Sequence, residues 1–177
     1  NRRKRLLMAD MDSTMIHQEC IDELGVVAGV GDHIKNITAK AMRGELDFEG
    51  ALRERVALLK GLDVSVISQL LRERITFMEG GKTLLATMRA HGAYAALVSG
   101  GFLSFTGPVA AHLGFNENRA NTLIERDGKL TGEVATPILG QQAKLDSLRE
   151  IAVSHGLTPD DAIAVGDGAN DLPMLLA

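Results

Sequence analysis

The chain has 177 residues, of which 45% are hydrophobic, 24% charged and 3% aromatic, and its formal net charge is −4. This composition is typical of a folded globular protein and excludes an intrinsically disordered one. The negative charge and the scarcity of aromatic side chains argue against nucleic acid as a partner.

Cys20 is the only cysteine, so no internal disulfide can form and a reducing, cytoplasmic setting is expected. Only four apolar residues separate the basic start of the chain from Asp10, which is too few for a secretory signal. No apolar run approaches the roughly 18 residues that a membrane span needs. We therefore expect no membrane partner, and the sequence leaves the oligomeric state open.

The first predicted element is a buried strand over residues 6–9, which leads into the acidic run Asp10-Met11-Asp12-Ser13-Thr14. Alternate residues of a strand face the same side, so the carboxylates of Asp10 and Asp12 would lie close together. Two like charges at that distance repel unless a cation or a shared proton relieves them. A solvated turn that caps a helix is the alternative interpretation of this run alone.

Residues 15–75 are predicted to be entirely helical. Apolar residues recur at helical spacing from Ile16 to Ala28, and helix-compatible segments follow at 33–43, 48–59 and 64–74. A helical segment of this length directly after one strand exceeds a minimal strand–helix unit. The pattern therefore predicts a small separate domain inserted into the fold.

From residue 80 onward, strands and helices alternate, which predicts an α/β fold with a parallel sheet. A hairpin with an Asp127-Gly128 turn interrupts this alternation. The predicted helices are 82–91, 103–114 and 141–155, and the predicted strands are 93–98, 121–125, 129–134 and 162–165.

Three of the predicted strands end in small or acidic polar residues. In open α/β sheets, ligands bind just beyond the carboxyl ends of the strands, so these clusters should converge on one pocket. The clusters are Asp10 with Asp12, Ser99 with Gly100, and Asp167 with Asp171.

The residue types in these clusters fit phosphoryl transfer. Carboxylate oxygens without histidine or cysteine ligands suit Mg²⁺. The hydroxyl of Ser99 and the N–H groups of Gly100 and Gly101 can bind an anion, which Lys144 at the start of its helix could also face. A divalent cation would offset the repulsion between the carboxylates and a phosphate group, which one lysine cannot do.

Four segments in order resemble the motifs of the haloacid dehalogenase superfamily of phosphatases: 10–14, Ser99-Gly100-Gly101, Lys144 and 166–171. Within the helical segment, 19–24, 42–48 and Arg55 are similar to the phosphoserine phosphatase family. The resemblance covers nearly the whole chain. It implies a Rossmann-like core of residues 1–14 and 76–177, with a small all-helical cap at 15–75. Family members continue past the last motif, so we expect this chain to be truncated at its C-terminus.

The resemblance also implies a role for each residue. Asp10 would be the nucleophile and Asp12 the general acid and base. Mg²⁺ would be held by Asp10, the backbone carbonyl of Asp12 and Asp167, with Asp171 orienting the site. Ser99, Gly100 and Lys144 would bind the phosphate, and the substrate would contact Glu19, Met42, Phe48, Arg55 and Asn170.

The activity that this resemblance implies is hydrolysis of O-phospho-L-serine to L-serine and phosphate through an aspartyl-phosphate, the last step of serine biosynthesis. Two alternatives stay open. One is a phosphatase or phosphotransferase of the same superfamily that acts on another small phosphate ester. The other is a receiver-like signalling module that accepts a phosphoryl group, although such a module would not need the helical segment.

Overall fold

The computed structural model describes residues 3–177, and the predicted core therefore lacks a description only for residues 1 and 2. The order of elements confirms an α/β fold in which four helices follow the first strand. The elements are β1 (Leu6–Ala9), α1 (Cys20–Val27), α2 (Gly31–Met42), α3 (Phe48–Ala57), α4 (Ser65–Glu73), α5 (Gly81–Ala90), β2 (Tyr94–Phe102), α6 (Leu103–Leu113), β3 (Glu117–Asn121), β4 (Leu123–Arg126), β5 (Lys129–Val134), α7 (Gln141–Ser154), β6 (Ala162–Val165) and α8 (Leu172–Leu175).

The main sheet has four parallel strands in the order β3-β2-β1-β6. All four residues of β1 are buried, which agrees with its uninterrupted apolar run because a central parallel strand is covered on both faces. Leu7 packs with one hydrophobic cluster, and Leu6 and Met8 pack with the cluster that contains Leu148 of α7. Helices therefore cover both faces of the sheet. The carboxyl end of the central strand β1 lies where the loops that follow the parallel strands meet.

The chain enters and leaves the helical segment through two short stretches of backbone, residues 15–17 and 76–78, that lie next to each other. The first helix was expected from Ile16, but it begins at Cys20, because Ile16 forms an antiparallel bridge with Phe77. The N–H of His17 donates to the carbonyl of Thr76 at 3.0 Å, and the N–H of Met78 donates to that of Met15 at 2.9 Å. These backbone bonds fix where the chain enters and leaves the helices.

The region after α6 differs most from the prediction. A single strand over 121–125 was expected, but Asn121 ends β3 of the main sheet, and a separate strand begins at Leu123. The sequence of β3, Glu-Asn-Arg-Ala-Asn, lacks apolar alternation, because β3 lies at the edge of the sheet and four of its five residues are only half-buried. The predicted β4–β5 hairpin is confirmed, with Asp127 and Gly128 at φ 52° and 75°.

Strand β2 is longer than its apolar run at 93–98. It continues through Ser99, Gly100 and Gly101 to Phe102, with an irregular register against β3 after Val98. The two glycines therefore lie in the last part of the strand and not at the first turn of α6.

None of the helices over residues 3–177 combines the length and the apolar content needed to cross a lipid bilayer.

Candidate active site

Asp10 lies directly after β1, and its backbone N–H donates to the carbonyl of Val165 in β6 at 3.0 Å. Its Oδ1 accepts the N–H of Met11 at 2.7 Å, and its Oδ2 lies 2.7 Å from Nζ of Lys144. Burial raises the pKa of Asp10, while Lys144 and the Met11 N–H act in the opposite direction. The carboxylate is thus held in one orientation at the end of the central strand.

Lys144 lies in the first turn of α7, and its side chain is 0% exposed. Its Nζ also contacts Oδ1 of Asp171 at 2.6 Å, so the ammonium lies between two buried carboxylates. The other oxygen of Asp171 accepts the N–H of Gly168 at 3.1 Å. A Cβ at Gly166 would lie 2.4 Å from Cγ of Asp171, so only glycine leaves room for this carboxylate.

Three carboxylates meet at this point. One oxygen each from Asp10, Asp167 and Asp171 lies within 4.8 Å of the others, and Asp167 is additionally held by the hydroxyl of Thr14 at 2.9 Å. Lys144 offsets only one of these three negative charges. An all-oxygen donor set with unbalanced negative charge fits a hard divalent cation.

The side chain of Asp12 differs from that of Asp10 in having little to stabilise its charge. Its Oδ2 accepts the N–H of Cys20, the first residue of α1, at 3.4 Å, and its buried Oδ1 has no hydrogen-bond partner within residues 3–177. Burial, and to a smaller extent the charges of Glu19 and Asp10, raise the pKa of Asp12 to about 7. Asp12 can therefore hold or release a proton near neutral pH, as a general acid and base must.

Asn121 supports the site from outside the cavity and was not predicted from the sequence. Its side chain is 2% exposed, and its amide nitrogen donates to the carbonyls of Gly100 at 2.9 Å and Leu139 at 3.1 Å. Its Oδ1 accepts the N–H of Leu139 at 2.7 Å. Asn121 joins the end of β2 to the segment that precedes α7. A polar residue at a strand end would have been the signal, but β3 itself was not predicted.

Ser99 contacts the glycines that follow it, because its hydroxyl accepts the N–H of Gly101 at 2.9 Å. The ring of Phe48, at the start of α3, lies close to Gly100 at the end of β2 and to Gly140 just before α7. A Cβ added at Gly100 or Gly140 would lie 3.0 or 3.1 Å from this ring. The absence of side chains at these two positions thus allows the ring to approach the end of β2.

Predicted site residues from the strand ends and from the helical segment line one cavity of about 840 Å³. Met42 lies at its rim and is 85% exposed, whereas Phe48 is half-buried. Lys144 and Asp171 are buried and do not line this cavity, and Lys144 pairs with Asp10 in its wall. The predicted site residues that line the cavity are Asp10, Asp12, Glu19, Met42, Phe48, Arg55, Ser99, Gly100, Asp167 and Asn170.

The part of the cavity wall that comes from the helical segment contains groups of both signs. Glu19 accepts the hydroxyl of Ser13 at 2.5 Å, and Ser13 adopts a left-handed φ of 56°. Arg55 is half-buried, donates to the carbonyl of Ala51 at 3.2 Å and to the hydroxyl of Thr38 at 3.3 Å, and has its pKa lowered by burial. Over residues 3–177, no carboxylate lies within 4.0 Å of its guanidinium nitrogens.

The sequence is similar to a family and to named relatives. The model of the haloacid dehalogenase-like hydrolase family matches residues 7–176. A phosphoserine phosphatase of Archaeoglobus fulgidus is 45% identical over 175 residues, covering 99% of this chain and 51% of that protein. A phosphoserine phosphatase of Methanocaldococcus jannaschii is 42% identical over 173 residues, covering 98% of this chain and 82% of that protein.

The fold is similar to a solved structure described as a phospho-aspartyl intermediate analogue of phosphoserine phosphatase. The TM-score is 0.89 at 42% identity, and the match covers 98% of this chain and 82% of the other. The chain thus spans about half the length of the Archaeoglobus relative and about four fifths of the length of this structure.

Proposed function

The chain belongs to the haloacid dehalogenase-like hydrolase family, and we propose that it hydrolyses O-phospho-L-serine to L-serine and phosphate, the last step of serine biosynthesis. The observation that carries this proposal is that Asp10 and Asp12 share one cavity with Glu19 and Arg55. Asp10 and Asp12 are suited to act on a phosphoryl group. Glu19 and Arg55 are suited to bind the ammonium and the carboxylate of serine. The names of the relatives support the same substrate.

In the first step, a carboxylate oxygen of Asp10 attacks phosphorus and the bond from phosphorus to the serine oxygen breaks. Protonated Asp12 gives its proton to that oxygen, so that neutral serine hydroxyl leaves. The pKa of Asp12, raised to about 7, keeps a large share of the group protonated near neutral pH. The product of this step is an aspartyl-phosphate on Asp10.

In the second step, the ionised Asp12 takes a proton from water, whose oxygen attacks phosphorus. The bond between phosphorus and Asp10 breaks, which releases phosphate and restores both carboxyl groups to their starting states. Ser99 and Gly100 would hold the phosphoryl oxygens at the end of β2. Lys144 is buried beside Asp10 and uses two of its three N–H donors on carboxylates, and its third donor would have to reach a phosphate oxygen bound next to Asp10.

The oxygen donors of this site fit Mg²⁺, which Asp10, Asp167 and the backbone carbonyl of Asp12 would hold while Asp171 orients them. When bound, the ion neutralises the clustered negative charge and polarises the phosphoryl oxygens.

The helical wall would select the substrate. Arg55 would pair with the serine carboxylate and Glu19 with its ammonium group, while Phe48 and Met42 cover the bound ester. Asn170 would line the phosphate side of the cavity. We also propose, from the sequence, that residues 15–75 form a cap domain on a core of 1–14 and 76–177, in a cytoplasmic protein.

A substrate panel with and without EDTA tests this proposal. We expect phosphate release from phosphoserine that stops with EDTA and returns with Mg²⁺. Arg55→Ala should lower kcat/KM for phosphoserine at least tenfold more than for p-nitrophenyl phosphate, which lacks a carboxylate. Equal losses on both esters would favour a different small phosphate ester as the substrate.

The same assay separates hydrolysis from a phospho-accepting signalling role. A receiver-like module would take up about one phosphoryl group per chain and then stop. Asp12, with its unpartnered Oδ1 beside the cavity, supplies the proton transfers that repeated turnover requires. We therefore expect many turnovers per chain.

A further inference from the structure

The hydroxyl of Thr38 in α2 lies between a hydrogen-bond acceptor, the carbonyl of Ile34, and a hydrogen-bond donor, the guanidinium of Arg55. The hydroxyl donates to the carbonyl of Ile34 at 3.1 Å, within the same helix. A hydroxyl has one proton, so its lone pairs are left to accept. They accept an N–H from Nη1 of Arg55 at 3.3 Å, which links α2 to α3 across the wall of the cavity.

Arg55 is fixed at two points of its planar group. Nε donates to the carbonyl of Ala51 at 3.2 Å, and Nη1 donates to Thr38. Two fixed donors define the plane of a guanidinium and the direction in which its remaining three N–H groups point. One of these belongs to Nη1 and two to Nη2, so the end of the fork is available for bidentate pairing with a carboxylate.

We propose that Thr38 is a positioning residue that orients Arg55 and thereby determines the preference for phosphate esters that carry a carboxylate. This inference rests on the proposed function. Thr38 and Arg55 both line the cavity, and no carboxylate of residues 3–177 forms an ion pair with Arg55. Among residues 3–177, the guanidinium donates hydrogen bonds only to neutral partners, and Thr38 is the only side chain among them, so the orientation of Arg55 depends on it.

The first test replaces the hydroxyl by a group of the same shape. In Thr38→Val, KM for phosphoserine should rise about tenfold with kcat within twofold, because an acceptor for a charged donor is lost and the reacting groups are untouched. KM for p-nitrophenyl phosphate should not change. Thr38→Ser keeps the acceptor and should restore the wild-type KM, and Thr38→Ala should behave as the valine variant does.

A matched control and a double-mutant cycle complete the experiment. Thr131, in the hairpin, also donates its hydroxyl to a backbone carbonyl, that of Ile124 at 3.0 Å, and Thr131→Val should leave both KM values unchanged. In an Arg55→Ala background, Thr38→Val should have no further effect, because the group that it orients is gone.

Three outcomes overturn the inference: an unchanged KM for phosphoserine in the valine variant, equal increases for both esters, or an undiminished effect in the Arg55→Ala background. In all three the wild type still hydrolyses phosphoserine, so the proposed function survives. If the wild type does not hydrolyse phosphoserine, the proposed function fails and this inference fails with it.

Discussion

The carboxylate of Asp10 is held from two sides by groups of the protein itself. Oδ1 accepts the N–H of Met11, and Oδ2 contacts the ammonium of Lys144, which is also paired with Asp171. A buried charge needs such partners, because an unpaired one costs several kcal/mol. The proposed nucleophile is therefore oriented by the protein alone.

Asp10→Asn tests this residue directly. The amide has nearly the same shape but is a much weaker nucleophile, so we expect turnover to fall at least about a thousandfold. Phosphate release measures the loss, and circular dichroism shows whether the fold is kept. Activity near the wild-type level would mean that the nucleophile is another residue.

The pKa of Asp12 makes a second prediction, about stability. Its value of about 7 in the folded state lies above the 3.8 of an ordinary aspartate, so the folded state binds this proton more tightly than the unfolded state does. The stability that Asp12 contributes is present below about pH 4 and is lost progressively as the pH rises through about 7.

Asp12→Asn removes that ionisation. At about 1.4 kcal/mol per pKa unit, the variant should gain up to about 4 kcal/mol over the wild type at pH 8 and little at pH 4. Urea unfolding in EDTA at the two pH values measures the difference. A gain of the same size at both would show that the carboxyl group is not responsible.

At the scale of elements, the sequence predicted those whose residues repeat a recognisable pattern. The apolar run of β1 and the acidic residues after it were visible, as were the helices over 20–73 and the Asp127-Gly128 hairpin. Strand β3 was not, because an edge strand of half-buried polar residues has no periodic signal.

Two site features also depended on tertiary contacts. Lys144 alone resembles a tolerated surface lysine, and only the approach of Asp10 and Asp171 makes its burial possible. Asn121 was hidden for a similar reason, because its partners Gly100 and Leu139 are about twenty residues away along the chain. The order of the motifs along the chain predicted which residues come together at the site. The distances between them in sequence could not predict which side chains are in direct contact.

The contact between α3 and the segment before α7 gives a prediction at this scale. A methyl group at Gly140 would lie 3.1 Å from the Phe48 ring, although the backbone there, at φ −114°, accepts alanine. Gly140→Ala should therefore displace the ring and raise KM several-fold with little change in folding. Steady-state kinetics measure this effect, which should disappear in a Phe48→Ala background.

Gly107 of α6 provides the control. A Cβ there meets no atom of residues 3–177 within 4 Å, so Gly107→Ala should leave KM unchanged and stabilise the helix by up to about 1 kcal/mol. If both glycine variants raise KM alike, the Phe48 contact is not the cause.

For the molecule as a whole, the excess negative charge at the carboxyl ends of β1 and β6 predicts that a divalent cation stabilises the folded state. Asp10, Asp167 and Asp171 bring three negative charges against the one positive charge of Lys144. Mg²⁺ at a hundredfold excess over its Kd would stabilise the folded state by about 2.7 kcal/mol, which should raise Tm by several degrees.

Thermal unfolding with EDTA and with Mg²⁺ measures this shift without any substrate. Asp167→Asn should reduce the shift, whereas the surface variant Asp146→Asn should keep it. The same shift in all three proteins would place the cation elsewhere.

The N–H of Cys20 donates to Asp12, so the proposed proton donor is in contact with the helical segment. The pKa of Asp12 therefore depends on how that segment lies against the end of β1. Asp12 follows β1, whereas Cys20 and Glu19 belong to the helical segment, and burial is the main cause that raises the pKa of Asp12 to about 7. Water between these groups would lower the pKa of Asp12 toward that of an ordinary aspartate. The leaving group of the proposed reaction would then lack a proton donor, so a site that admits water here could bind a phosphate ester but would cleave it slowly.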